Sequence, residues 1–251
     1  EEHLGVVLFE RMGKRLELTD SGKDLLEHAN KMTAAADDLH LTATGKSNTI
    51  EGIVSISVTD AIALHLLPSA IRRIRKEAPN VIIELVISNS LSDLRRREAD
   101  IAIRHVRPED PELIGKFLRE AEAQFFASNE WIAQHGHPLN TADATGAQFI
   151  GFDRGEQFAE HLRALGLQVD QNSFPLICEN ALICIEMVRQ SFGIGIMMSE
   201  IIRNFEGLSK VLDDLPPISF PIWLVTHREL HTSRKIRLVF DILAEELKKV
   251  R

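Results

Sequence analysis

The sequence contains no tyrosine, and only two cysteines and two tryptophans among its 251 residues. The missing tyrosine removes one common catalytic acid. Cys178 and Cys184 are six positions apart in one apolar segment, which fits neither a Cys-x-x-Cys pair nor a disulfide framework. Buried, inert thiols are expected. No apolar run approaches the roughly 18–20 residues that a membrane helix requires, so no membrane partner is expected. There is no excess of positive charge: 29 Lys and Arg stand against 37 Asp and Glu, a net charge of −8. That balance excludes a whole-chain nucleic-acid coat and leaves room for a local DNA-binding element. The Gly-x-Ser-x-Gly, Ser-x-x-Lys and His-Glu-x-x-His patterns are all missing, and no enzyme is expected. Gly193-Ile194-Gly195 lacks the Lys-Ser/Thr of a phosphate loop and reads as a tight entry into a strand. His135-Gly136-His137 lacks a third ligand at suitable spacing, so no metal is expected. Glu1-Glu2-His3-Leu4-Gly5 has neither the basic nor the apolar region of a signal peptide, which makes a cytoplasmic location the expectation.

What is present falls into segments. In residues 1–19, the apolar cluster Val6–Phe9, the basic tip Arg11-Met12-Gly13-Lys14-Arg15 and the alternating Leu16-Glu17-Leu18 suggest a β-ribbon around a glycine. Thr19-Asp20-Ser21 then offers helix N-cap residues. Over residues 20–44 the apolar positions Leu25, Ala29, Met32, Ala36, Leu39 and Ala43 recur in alternating steps of four and three. This seam packs either on its own chain or against a second copy, and the heptad period favours the second. Residues 45–49 are polar and read as a hinge.

From residue 50 the pattern becomes strand–helix alternation. Strands are expected at Ile53–Val58, Val81–Ile87 and Asp100–Ile103, with a helix between the first two that has Pro68 inside its first turn and runs to Ala78. Val81–Ile87 reads as a buried parallel strand because its apolar run is nearly continuous. A second unit has strands at Gln124–Ala127, Phe149–Phe152, Leu176–Cys178 and Ile194–Met198, and helices at 156–165 and 181–190. A strand at Ile222–Thr226 and an amphipathic helix at Ser233–Lys249 close the chain. Two doubly wound α/β units in tandem imply two lobes with a hinged cleft. One lobe takes residues 50–119 and 223–251, the other residues 120–222. In such sheets ligands bind beyond the carboxyl ends of strands. The candidates are then Thr59, Asp60 and Ala61 after the first strand, Asn89 and Ser90 after the second, Arg104 and His105 after the third, and Phe152 and Asp153 in the second lobe. Arg104 could hold a carboxylate bidentately, whereas Asp60 and Asp153 would pair with cations or select a ligand with donors. For each, the competing reading is a strand-end polar group satisfied by its neighbours.

The run Glu2-x-Leu4-Gly5-x-x-Leu8-Phe9-Glu10-Arg11-x-Gly13-x-x-x-x-Leu18-Thr19-x-x-Gly22 closely resembles the second half of the DNA-binding domain of LysR-type transcriptional regulators. Leu66-Leu67-Pro68, Asp100-Ile101-Ala102-Ile103-Arg104, Gly193-x-Gly195-Ile196 and Trp223-x-Val225-Thr226-His227 resemble that family's effector domain, in the family's order. The resemblance implies a two-lobed, periplasmic-binding-protein-like effector domain, preceded by a remnant of a winged helix-turn-helix and a long linker helix. It implies that Arg11, Lys14 and Arg15 lie against DNA phosphates rather than forming a solvated turn. It also implies a homodimer or homotetramer that responds to a small-molecule effector, a polar or anionic metabolite, without other cofactors. In the family, hydroxyl side chains at the first two strand-end loops hold an effector carboxylate. The first position falls on Ala61, which has no hydroxyl but keeps its backbone N–H, with Thr59 nearby; the second falls on Ser90. The chain starts at the last turn of the recognition helix, so base readout is expected of the complete N-terminal domain of a parent protein. The alternative is a periplasmic-type solute-binding protein, which shares the lobes but needs neither ribbon nor seam. Replacing Leu25, Met32 and Leu39 together by Asp is expected to abolish dimerisation through the seam. An unchanged mass in light scattering would overturn the seam as a dimer contact.

Overall fold

A computed structural model describes residues 1, 5–12, 15–26, 28–29, 32, 36, 50–88, 99–152 and 157–249, with the backbone alone at 11–12 and 15–17. Contacts divide the chain into two units, Glu1–Thr49 and Ile50–Arg251. In the first unit β1 (Phe9–Met12) pairs antiparallel with β2 (Arg15–Leu18), Phe9 opposite Leu18 and Met12 opposite Arg15. The expected ribbon is therefore present. Arg11 and Arg15 lie on its strands, and Lys14 lies outside the described residues.

Thr19 joins ribbon to helix. Its N–H donates to the Leu8 carbonyl at 3.0 Å and its hydroxyl to the Val7 carbonyl at 2.6 Å. The same hydroxyl accepts from the Gly22 N–H at 3.0 Å, an N-cap bond. A Cβ on Gly22 would collide with the Leu8 carbonyl, so the helix can start this close to the ribbon only at glycine. Residues 20–26, 28, 29, 32 and 36 are helical. Leu25 is half-buried, while Ala29, Met32 and Ala36 are exposed; Leu39 lies outside the described residues.

The second unit opens with β3 (Gly52–Val58), α1 (Asp60–His65), α2 (Leu67–Glu77), β4 (Val81–Ile87) and β5 (Ile101–Arg104). Strand β3 is parallel to β4 on one side and to β5 on the other. Asp100 fastens β5 to β3 by accepting from the Ser55 N–H at 2.9 Å and hydroxyl at 3.1 Å. Then come β6 (Leu113–Ser128), α3 (Asn129–His135), β7 (Ile150–Gly151), α4 (Gln157–Ala164), β8 (Leu176–Ile177) and α5 (Ala181–Arg189). The chain closes with β9 (Gly195–Met198), α6 (Ser199–Ile202), β10 (Leu208–Lys210), β11 (Ile218–His227) and α7 (Arg234–Lys248). Strand β11 runs antiparallel to β5 and to β6. Beyond that pairing, Phe126 of β6 lies opposite Lys210 of β10 on one side and Gly195 of β9 on the other. Strands β7 and β8 are parallel, and a parallel bridge from Phe149 to Ile194 links β7 to the start of β9. The result is one parallel βαβαβ group around β3, a second around β7, and two long antiparallel strands shared by both.

Three expectations need correction. The sheet is mixed rather than doubly wound throughout, because β6 and β11 run antiparallel through its middle. Strand β6 has 16 residues, far more than the expected Gln124–Ala127. Its first two thirds interleave Lys116, Arg119, Glu120 and Glu122 with apolar residues, which masks the strand. Third, β4 is an edge strand, with Ile82 59% and Ile87 51% exposed, and not a buried one.

The expected lobe crossings at 119/120 and 222/223 fall within the β6–β11 pair. There the register slips: Ile222 lies opposite Arg119, but Trp223 lies opposite Phe117, which leaves Leu118 as an extra residue. Arg119 braces this irregularity. Its Nε donates to the Leu247 carbonyl at the end of α7 at 3.1 Å, and its Nη2 pairs with the Glu200 carboxylate of α6 at 2.5 Å. Both side chains of the pair are largely buried, at 15% and 8% exposure. Helix α7 lays Ile236, Val239, Phe240, Leu243 and Leu247 on the core, and Arg73 of α2 pairs with its Glu245 at 2.6 Å and Glu246 at 3.2 Å.

Gly22→Ala is expected to cost about 1–3 kcal/mol at the ribbon–helix junction. Hydrogen exchange should then accelerate at Leu8, Thr19 and Gly22; unchanged exchange would show that the junction yields freely. Arg119→Met should destabilise the second unit by about 3–5 kcal/mol, since Glu200 would be buried without its cation. Urea unfolding measures this, and adding Glu200→Gln should restore part of the loss.

Candidate functional site

Strand β3 ends at Val58, and α1 begins two residues later with Thr59 as its N-cap residue. On the other group, β8 ends at Ile177 and Asn180 caps α5, its side chain accepting from the Ile183 N–H at 2.9 Å. These two strand ends face a common cavity of about 350 Å³. Thr59, Asp60, Ala61 and His105 line it from one group; Phe152, Glu179, Ala181 and Ile185 line it from the other. Ile196, Met197, Met198 and Ile201 add an apolar wall, and Ala123 and Phe220 contribute from the two shared strands. The cavity thus lies where the strand-end rule places a ligand, at the small end of the roughly 300–1,000 Å³ range of ligand pockets.

Asp60 is 6% exposed, and its carboxylate reaches across the cavity. One oxygen accepts from the Ala61 N–H at 2.7 Å, the other from the Leu182 N–H in the first turn of α5 at 3.2 Å. A negative charge at a helix N-terminus is stabilised by the amide dipoles. Here that charge belongs to the protein.

His105 packs edge-on against Phe220, ring centroids 5.0 Å apart. Burial first, then the positive charges of Arg104 and Arg119, push its imidazole down to about 4, so it is neutral at neutral pH. Its Nδ1 is buried with no hydrogen-bond partner among the described residues.

Of the expected site residues, Thr59, Asp60, Ala61, His105 and Phe152 line the cavity. Arg104 does not. It is 3% exposed, and its guanidinium donates to the Ser57 carbonyl at 3.1 Å, the Ile103 carbonyl at 2.9 Å and the Ser57 hydroxyl at 2.6 Å. The pairing of β3 with β5 places Ser57 beside it, so the side chain turns inward to the neighbouring strand. Asn89, Ser90 and Asp153 lie outside the described residues. Glu179 was not anticipated, although the strand-end rule that selected Phe152 applies equally after β8. Ala123, Met197, Met198 and Phe220 sit on strands, where no sequence signal marks them.

The remaining candidates have ordinary roles. The His135 ring stacks on Trp131, and its Nδ1 lies 3.0 Å from the Trp131 carbonyl; His137 Nε2 lies 3.0 Å from the Lys210 carbonyl. Cys184 is buried and donates to the Cys178 carbonyl at 3.1 Å. Burial pushes its thiol up to about 12, which makes it a poor nucleophile.

Comparison with known proteins agrees with this geometry. The model of the LysR substrate binding domain matches residues 47–248. The HTH-type transcriptional regulator CrgA of Neisseria meningitidis serogroup B is 30% identical over 154 residues, covering 61% of this chain and 51% of CrgA. The chain thus spans about half the length of that relative. The HTH-type regulator YeiE of Escherichia coli K12 is 26% identical over 249 residues, covering 96% of this chain and 83% of YeiE. Among solved structures, CrgA from Neisseria meningitidis superposes with a TM-score of 0.68 at 24% identity, covering 98% of this chain and 85% of that one. Full-length AphB, a Vibrio cholerae virulence activator, gives 0.69 at 20% identity, with 97% and 85% coverage. The two-lobed, periplasmic-binding-protein-like fold is shared with both. The chain belongs to the LysR family of transcriptional regulators, with the substrate binding domain of that family at residues 47–248.

Proposed function

We propose that this chain is the sensing part of a DNA-binding regulator and that its effector occupies the cavity between the two strand groups. The observation that supports this most directly is the way the cavity is closed. Thr59–Ala61 and His105 come from one group, Glu179–Ile185 and Met197–Met198 from the other, and Ala123 and Phe220 from the shared strands. A ligand filling it touches both groups and the strands that join them. It therefore favours whichever arrangement of the groups fits it better, by the difference in its affinity for the two.

The relatives are named as HTH-type regulators. We carry that name to residues 1–19, as the ribbon of a DNA-reading domain in which Arg11, Lys14 and Arg15 lie against phosphates. The helical seam of Leu25, Ala29, Met32, Ala36 and Leu39 is the dimer contact of the homodimer or homotetramer. Met32 is 74% exposed in the single chain, which suits a partner helix. Binding of DNA, dimerisation and a cytoplasmic location form one consistent reading. No described helix is long and apolar enough to cross a membrane. A periplasmic-type solute binder would share the fold of residues 50–251, but the ribbon, the seam and the regulator relatives favour transcriptional control over transport.

Filling the cavity tests the reading. A thermal-shift screen of small metabolites on the 251-residue chain should find ligands that raise Tm by several degrees. Ala181→Leu and Ala123→Leu, each adding bulk to the cavity wall, should abolish those shifts while leaving the ligand-free chain folded. Ligands that bind these variants undiminished would place the effector site elsewhere.

A further inference from the structure

We infer that the cavity selects a compact hydrophobic ligand whose polar end donates hydrogen bonds, an alcohol or an amine, rather than a carboxylate. The inference rests on the effector reading above and narrows it. It narrows the expectation of a polar or anionic metabolite for three separate reasons.

The first is the wall. Phe152, Ile185, Ile196, Met197, Met198, Ile201 and Phe220, with three alanines, make most of it apolar. Such a surface rewards an apolar body, and the two unbranched methionines adapt to its shape. The second is that the backbone donors at the cavity are already engaged. The N–H groups of Ala61 and Leu182 donate to Asp60, and that of Ile183 donates to Asn180. A ligand carboxylate would need these same groups. The third is charge. The described residues that line the cavity include two carboxylates, Asp60 and Glu179, and no lysine or arginine. Arg104, the nearest expected anion binder, has its guanidinium on Ser57 and Ile103. A carboxylate entering a partly desolvated space beside two others meets like-charge repulsion, and no described lysine or arginine lines the cavity to contact it.

What the lining does offer is acceptors. Glu179 is exposed at the cavity and holds a carboxylate there. The Thr59 hydroxyl accepts as readily as it donates, and a neutral His105 ring presents one acceptor nitrogen. A hydroxyl or ammonium group can donate to any of the three, whereas a carboxylate has no proton to give to Glu179.

A matched trio tests the assignment: 2-phenylethanol, phenethylamine and phenylacetate share one apolar body and differ only in the polar end. Each is titrated calorimetrically into the 251-residue chain at neutral pH, and into Glu179→Gln and Ala181→Leu. The alcohol and the amine should bind at least about tenfold more tightly than phenylacetate, a difference of about 1.4 kcal/mol. Glu179→Gln, at an exposed position, should weaken the amine by about threefold to tenfold and leave the alcohol within about twofold, since only the amine loses a charge partner. Phenylacetate binding tightest would overturn the ligand class and leave the effector reading standing. Binding of none of the three would likewise overturn the ligand class, whereas binding undiminished in Ala181→Leu would overturn the effector reading and this inference with it.

Discussion

The antiparallel pairing of β6 with β11 is the constraint on which the second unit depends. Each strand begins in one parallel group and ends in the other, so the two groups are joined by a hydrogen-bonded ribbon rather than by loose linkers. A sheet ladder resists separation of its strands but tolerates twist, and it twists most where its register slips. The slip at Ile222 and Trp223 lies midway along the pair. Arg119 sits there and holds the end of α7 on one side and Glu200 of α6 on the other. A buried pair of this kind adds little net stability, but it strongly disfavours any arrangement that separates its members. Arrangements of the two groups that keep Arg119 and Glu200 together are therefore favoured over any that part them.

The same strands supply Ala123 and Phe220 to the cavity. Arg119 is also one of the charges that hold His105 neutral. Cavity wall and register slip thus share two strands and an electrostatic field. A change of packing in the cavity has only a short distance to travel along these strands before it reaches the register slip.

The sequence made some of this legible. Alternation around a glycine identifies the ribbon of Phe9–Leu18, and apolar spacing identifies α7, because both patterns arise within a few residues. Helix α1 was missed: Thr59 and Asp60 follow β3 with no glycine or proline to mark the change, and they read as a loop. The exposed face of β4 was missed because a run of Val, Ile and Leu records composition and not position in the sheet. Arg104 is the instructive case among the site residues. A cation at a strand end resembles a ligand contact, and only the non-local pairing of β3 with β5 reveals that Ser57 receives it. Asp60 and His105 were found by the strand-end rule, which depends on local order alone, whereas Met197, Met198 and Phe220 enter the cavity through tertiary pairing.

Asp60 can also be regarded as a tethered ligand. Its carboxylate is covalently attached within hydrogen-bond reach of the Ala61 and Leu182 amides, so its effective concentration there is set by the chain and not by the solution. A free anion at millimolar abundance competes poorly with a group already in place. Those two amides are thereby occupied before any phosphate, chloride or organic acid reaches them.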